Sequence, residues 1–269
     1  MRRVPRLLRR TLLGLGMVLL LVAAAVSGVL WLSLPRARQQ AVIPGLGGPV
    51  DIRFDADGIP WVHAGSPQDA AAALGFVHAR DRLFQMELMR RLASGRLAEL
   101  VGSAGLPMDR YMRTLGLRRG AEADLPVLPA PTRGMLEAYS RGVNAWIATR
   151  GRLAAPEFLI FGPPEPWTAV DCLLWGKTMG LWLSDNYRTE LSRLSLAGRL
   201  PAARIDELWP PDGQAGRPDA ALDMRYAGIA GELVRLLPHF PAAYTLPPTA
   251  SNEWAVDGRH TATGAPLLA

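Results

Sequence analysis

Gly75-Phe76-Val77-His78-Ala79-Arg80-Asp81-Arg82-Leu83-Phe84-Gln85-Met86-Glu87-Leu88 is the stretch on which the fold of this chain turns. It follows Ser66-Pro67-Gln68-Asp69, a strong helix start. Ser66 can cap, Pro67 suits the first helical position, and Asp69 completes a capping-box pattern. Ala71, Ala72, Leu74, Phe76 and Val77, then Leu83, Phe84, Met86 and Leu88, supply apolar positions through the stretch. The pattern predicts a helix from Ser66 to about Leu100, with a break near Gly95. Arg80, Asp81, Arg82, Glu87, Arg90 and Arg91 read as solvent-facing or helix-pairing charges.

Upstream, Val50–Phe54 alternates apolar and polar residues, Asp55-Ala56-Asp57-Gly58 supplies a turn, and Ile59–His63 resumes. This is a β-hairpin signal, with Pro60 placing the second strand at an edge or delaying its start. Downstream, a helix is expected from Thr132 to about Thr149, ended by Gly151 and buried through Met135, Leu136, Tyr139, Val143, Trp146 and Ile147. A third begins at Trp167-Thr168-Ala169-Val170-Asp171, where Thr168 and Asp171 repeat the capping-box pattern. Glu190–Leu200 and the short Ile229–Leu237 complete the helical stretches. The Pro- and Gly-containing segments 209–218 and 237–248 read as spacer. The chain closes on a hairpin about Asp257-Gly258-Arg259 and ends in an apolar strand at Ala269, which reads as a fragment.

Charge is concentrated at the other end. Residues 1–40 hold seven arginines and no acid, out of 30 basic and 24 acidic residues in the chain. The rest is close to neutral, so the basic balance does not call for nucleic acid as a partner. Thr11 to Leu34 carries no charge and is long enough to cross a bilayer as a helix. Small residues at Ala23-Ala24-Ala25-Val26-Ser27-Gly28 would suit cleavage, but the length favours an uncleaved anchor. With the arginine cluster held in the cytoplasm, residues beyond about 40 lie on the periplasmic side of the cytoplasmic membrane, or are secreted if the signal is cleaved.

Few residues offer chemistry. Cys172 is the only cysteine and sits among apolar neighbours, so it reads as a buried small hydrophobe. His63, His78, His239 and His260 show no ligand spacing. Ser251-Asn252-Glu253-Trp254-Ala255-Val256 stands apart. Alone it reads first as a turn or strand entry, with Trp254 and Val256 on one strand face. If the Ala250–Ser251 bond were cut, however, Ser251 would carry both a hydroxyl nucleophile and an α-amine base.

Four stretches, in order, resemble the penicillin acylase (penicillin amidase) family of N-terminal-nucleophile hydrolases. They are the Gly75–Leu88 stretch, Tyr139–Ile147, Glu165-Pro166-Trp167-Thr168, and Ser251–Val256 followed by Gly264–Ala269. The resemblance covers roughly residues 48–269, with none from about 205 to 248. It departs where Trp61, rather than histidine, follows Pro60.

The resemblance implies an α+β, four-layer αββα fold, of which this chain covers mainly the helical α-chain, the spacer and the first β-chain strands. The divisions implied are a signal anchor at 1–40, an α-chain at 41–210, a spacer at 211–250 and the start of a β-chain at 251–269. It implies a precursor that cuts itself before Ser251 and persists as an α/β heterodimer. Ser251 would be the nucleophile and Asn252 would orient it. Met179, Trp182 and Leu183 would line the acyl pocket. Glu190 would give one carboxylate to a structural Ca²⁺, with no organic cofactor. The oxyanion asparagine and the remaining calcium ligands would lie beyond Ala269, so this stretch alone is expected to be inactive. The substrate expected is the linear amide of an acylated small molecule of penicillin type. The alternatives are an acyl-homoserine lactone cleaved by the same site, or a non-catalytic envelope protein that keeps the helical scaffold.

Overall fold

Glycine decides how the two longest helices of the body meet. The structure is a computed structural model and describes residues 6–36, 38–184, 187–197, 199–208, 227–237 and 255–268. After α1 (Arg6–Ser33) comes the expected hairpin, β1 (Asp51–Phe54) paired antiparallel with β2 (Pro60–His63). Asp55 builds its turn, accepting from the Asp57 and Ile59 amides at 3.0 and 2.9 Å and from Trp61 Nε1 at 3.1 Å. Pro60 opens β2, the position in a strand that costs least.

Next is α2 (Pro67–Ser94). Ser66 Oγ accepts from the Asp69 amide at 3.1 Å, as the capping pattern predicts. Gly95, at φ 67°, ends the helix by donating back to the Arg91 and Leu92 carbonyls. The predicted break is therefore a true terminus, and the last expected turn is a separate α3 (Ala98–Val101). Two further helices, α4 (Leu106–Leu115) and α5 (Leu117–Asp124), lie between the predicted ones; Pro107 in the first turn of α4 and Gly116, at φ 71°, after its end are the local signals for the first of them. Neither start has a side-chain cap. Tertiary contacts hold α4 instead, with Asp109 accepting from the Leu97 and Ala98 amides at 2.6 and 2.9 Å.

α6 (Ala130–Arg150) packs along α2. A methyl group at Gly142 would overlap the Ala72 carbonyl oxygen, and one at Gly75 would overlap the Tyr139 carbonyl oxygen. The two backbones touch where a side chain would hold them apart. That approach brings Phe76 edge-on to Trp146, with centroids 5.5 Å apart at 89°. Leu83, Val143, Phe158 and Trp167 complete the same buried cluster. Leu74 and Met135, both in apolar-rich stretches, stay exposed; α6 buries Ala138, Gly142 and Ala145 instead, because close approach favours small residues.

A 3-10 turn at Gly151–Ala154, α7 (Phe158–Phe161) and α8 (Ala169–Leu183) follow. The chain divides into two compact units, Met1–Leu181 and Trp182–Ala269. The second contains α9 (Tyr187–Ala197), α10 (Ala202–Leu208), α11 (Ala227–Leu236) and the antiparallel pair β3 (Ala255–Val256) and β4 (Leu267–Leu268). Here α11, within the segment read as spacer, packs on α9; Ala230 is buried and Gly231 faces Ser195.

Candidate active-site scaffold

Three stretches that are far apart in sequence converge on the entrance to α8. Asn144 of α6 clasps the backbone there, donating from Nδ2 to the Trp167 carbonyl at 2.8 Å and accepting from the Trp167 amide at 2.7 Å. Arg90 of α2 donates to the carbonyls of Pro166 and Glu165, both at 2.8 Å. Asp171 caps α8 by accepting from the Thr168 amide and hydroxyl, at 2.9 and 2.8 Å. Its carboxylate also faces Arg90 and Arg118, at 3.4 and 3.3 Å. Partners from α2 and α6 hold the backbone here and Asp171 closes it locally, so the start of α8 is fixed by side-chain hydrogen bonding as well as by packing, although Arg90 Nε itself is buried without a partner.

These contacts decide between the two readings of the α2 charges. Glu87, Arg90 and Arg91 are buried and pair along the helix at i+3 and i+4, the helix-pairing alternative. Glu87 pairs with both arginines, and Arg91 reaches on to Glu99 and Glu165. Part of the signal was present in the spacing: α2 kinks at Arg82 (φ −143°), and beyond the kink Leu83, Glu87 and Arg90 stand at i, i+4 and i+7, so the buried face runs from apolar into charged residues. Burying these charges is tolerable because each is paired and hydrogen-bonded.

At the rim of this network, Arg96 donates to Glu165 at 2.7 and 3.0 Å. Those bonds, reinforced by the charges of Arg96, Arg91 and Arg90, hold the Glu165 carboxyl at about 2, below its ordinary 4.5. Because the folded-state value is depressed, the stabilisation is complete above about pH 4.5 and is lost as pH falls toward 2. With the side chain partly exposed, its contribution is about 1 kcal/mol. Glu165→Gln should therefore melt below wild type at neutral pH, and the difference should close between pH 4.5 and 2, as followed by circular dichroism. A gap that stays constant across that window would remove the Arg96–Glu165 pair from the account.

Two other reactive groups here are structural. Cys172 is partly buried, its Sγ accepts from Trp167 Nε1 at 3.3 Å, and burial pushes the thiol pKa up, away from a nucleophilic thiolate. His78 Nδ1 lies 2.9 Å from the Tyr139 hydroxyl, and burial lowers its pKa and favours neutral imidazole.

The expected acyl-pocket residues fall on one side of α8. Met179, Trp182 and Leu183 stand at i, i+3 and i+4, with Trp175 one turn earlier. The buried side carries Asp171, Leu174 and Thr178. Met179 and Trp182 are half-buried, whereas Trp175 and Leu183 are 44% and 72% exposed. Glu190 lies in the first turn of α9, with its carboxylate 3.5 Å from Arg193. Among the described residues no cluster of three His, Cys, Asp or Glu side chains stands ready for a metal. Glu190, facing a guanidinium, could supply only one of the about six to eight oxygens that Ca²⁺ takes. Ser251 and Asn252 lie outside the described residues. The strand they precede, β3, is paired with β4 as the hairpin signal predicts.

Residues 49–269 match the family model described as Penicillin amidase. The chain is 35% identical over 245 residues to the penicillin acylase 2 proenzyme of a Pseudomonas species, covering 88% of this chain and 32% of that protein. It is equally 35% identical over 246 residues to the acyl-homoserine lactone acylase QuiP of Pseudomonas aeruginosa, covering 88% and 29%. The chain thus spans about a third of the length of these curated relatives. Among solved structures it resembles a thermostable penicillin G acylase from Alcaligenes faecalis, with a TM-score of 0.52 and 27% identity, over 63% of this chain and 95% of that one.

Proposed function

The chain belongs to the penicillin amidase family and has that family's α+β fold, and on this footing we propose that it is the nucleophile-bearing part of a self-processing amidohydrolase. The observation that carries the reading is that a single family match runs from before β1 through Ser251 to residue 269, across the α8 junction. A relative that is 35% identical over 88% of this chain is named a proenzyme, which supports maturation by cutting.

In the proposed reaction, cleavage of the Ala250–Ser251 bond frees the Ser251 α-amine. A free α-amine has a pKa of about 7.7–8.0, so a useful fraction is neutral at physiological pH. It takes the proton from Ser251 Oγ as the oxygen attacks the substrate carbonyl. Collapse of the tetrahedral intermediate expels the amine, which leaves with that proton, and forms an acyl ester on Ser251. Water then hydrolyses the ester and restores the hydroxyl. Asn252 would orient the nucleophile. Before cleavage the same nitrogen is an amide and cannot act as the base, so processing switches activity on. Glu190 enters only as one donor to a structural Ca²⁺.

The open side of α8 supports an apolar acyl group, because Met179, Trp182 and Leu183 offer hydrocarbon and an indole without a charge. A second substrate reading has equal support in identity, since the lactone acylase and the penicillin acylase relatives are matched at 35%. Assays of the purified full-length protein on penicillin G and on a long-chain acyl-homoserine lactone decide between them. Release of 6-aminopenicillanic acid in preference to homoserine lactone supports the first, the reverse preference supports the second, and turnover of neither amide sinks both.

The proposed location is the outer side of the cytoplasmic membrane. Its support is the apolar helix Leu13–Ser33, whose apolar window has no buried residue, preceded by an arginine cluster.

A further inference from the structure

α7 has four residues; the first is buried, the last stacks on Phe84 with ring centroids 5.7 Å apart, and the two between face outward. Phe158 is buried against Phe84, with ring centroids 5.5 Å apart. Leu159, Ile160 and Phe161 are 41%, 80% and 41% exposed, an apolar run on a surface that elsewhere carries many arginines and acids.

The neighbourhood of this run says what it faces. Arg150, the last residue of α6, donates from Nη2 to the carbonyl of Leu32, to that of Leu34 at 3.3 Å and to that of Leu153 at 3.5 Å. One guanidinium thereby ties the end of α1 to the 3-10 turn Gly151–Ala154, and α7 packs on the same turn. A four-residue 3-10 turn is only about 8 Å long. The headgroup layer beside the hydrocarbon core is about 5–8 Å thick on each side. α7 therefore lies close to the depth at which α1 would leave a bilayer. Trp31, 74% exposed on the last turn of α1, occupies the level where aromatic side chains mark the interface. Arg36 and Arg152, both exposed, are close in sequence to the two tied elements and suit lipid phosphates.

We propose that α7 is a membrane-contacting element: Leu159, Ile160 and Phe161 enter the headgroup–acyl boundary of the same bilayer that α1 spans. The inference rests on reading α1 as a retained anchor. It adds that the body is seated on the lipid surface through a second contact and does not swing on a free tether.

The test uses the full-length protein with Cys172→Ala and Ile160→Cys, labelled with an environment-sensitive fluorophore and reconstituted in vesicles of phosphatidylethanolamine and phosphatidylglycerol. A parallel Leu20→Cys sample reports on the span. Ile160 is exposed, so the label does not disturb the core. The expected result is quenching of the Ile160 label by about twofold or more with nitroxide placed near the lipid headgroup, and none with aqueous iodide. The Leu20 label should respond to nitroxide placed deep in the acyl chains. If iodide quenches Ile160 and the lipid nitroxide does not, while Leu20 reports lipid, the α7 contact is overturned and the anchor stands. If the Leu20 label reports water or is removed with a cleaved leader, the anchor reading falls and the α7 contact falls with it.

Discussion

Gly142→Ala is expected to destabilise the protein by about 3 kcal/mol or more, enough to prevent folding if the native state is marginal. The cause is steric and local. The added methyl group would overlap the carbonyl oxygen of Ala72 and crowd the Phe76 amide. Neither is the far end of a flexible side chain, so one helix must move away from the other. That movement would open the Phe76–Trp146 contact and loosen the clasp that Asn144, two residues on, makes with Trp167. Gly75→Ala should act similarly through the Tyr139 carbonyl. The control lies on the same helix: a methyl at Gly134 meets nothing within 4 Å. Gly134→Ala should be neutral or stabilising by about 0.5–1 kcal/mol, because alanine is the better helix former. Unfolding of the detergent-solubilised variants, followed by circular dichroism, compares the three. If Gly142→Ala unfolds together with wild type, the close crossing of α2 and α6 is not what the structure shows.

The glycine contact also marks where reading from sequence succeeded and where it stopped. Helix ends were legible at several places where a side chain or a glycine enforces them, as at Ser66, Gly95, Thr168 with Asp171, and Gly151. Those signals are local, so a single sequence contains them. The burial of Glu87, Arg90 and Arg91 was not legible as charge, because what makes it tolerable comes from Glu99, Glu165 and Asp171, up to 81 residues away. Nor was α5, whose start lacks a capping side chain; α4 has Pro107 and Gly116 as local signals but no side-chain cap, and its support is tertiary, through Asp109 and through Arg113 on the Gly95 carbonyl. Gly75 and Gly142 were visible as residues, but their contact requires two helices to be brought together. For the site, the shared side of Met179, Trp182 and Leu183 follows from helical spacing alone. Glu190 was placed on a helix as expected, but its partner Arg193 competes with the metal role drawn from resemblance.

Ser251→Ala should remove amide turnover by on the order of 10⁴-fold or more and leave the precursor as one chain. Both effects come from one atom, because the same hydroxyl is proposed to attack the Ala250 carbonyl during maturation and the substrate carbonyl afterwards. Loss of the hydroxyl leaves the α2–α6 core untouched, so the variant should retain the wild-type precursor's helical content. Ser251→Cys separates chemistry from folding. A thiol keeps a nucleophile at the same position and should restore cutting at least in part. A Ser251→Ala protein that is cut normally but inactive would move the processing step to another group.

The most direct measurement is intact-mass analysis with N-terminal sequencing of the full-length wild-type product beside Ser251→Ala. The account predicts two wild-type chains, one beginning Ser251-Asn252-Glu253-Trp254, and a single uncut chain for the variant. A wild-type protein that turns over amides while remaining one uncut chain would contradict it.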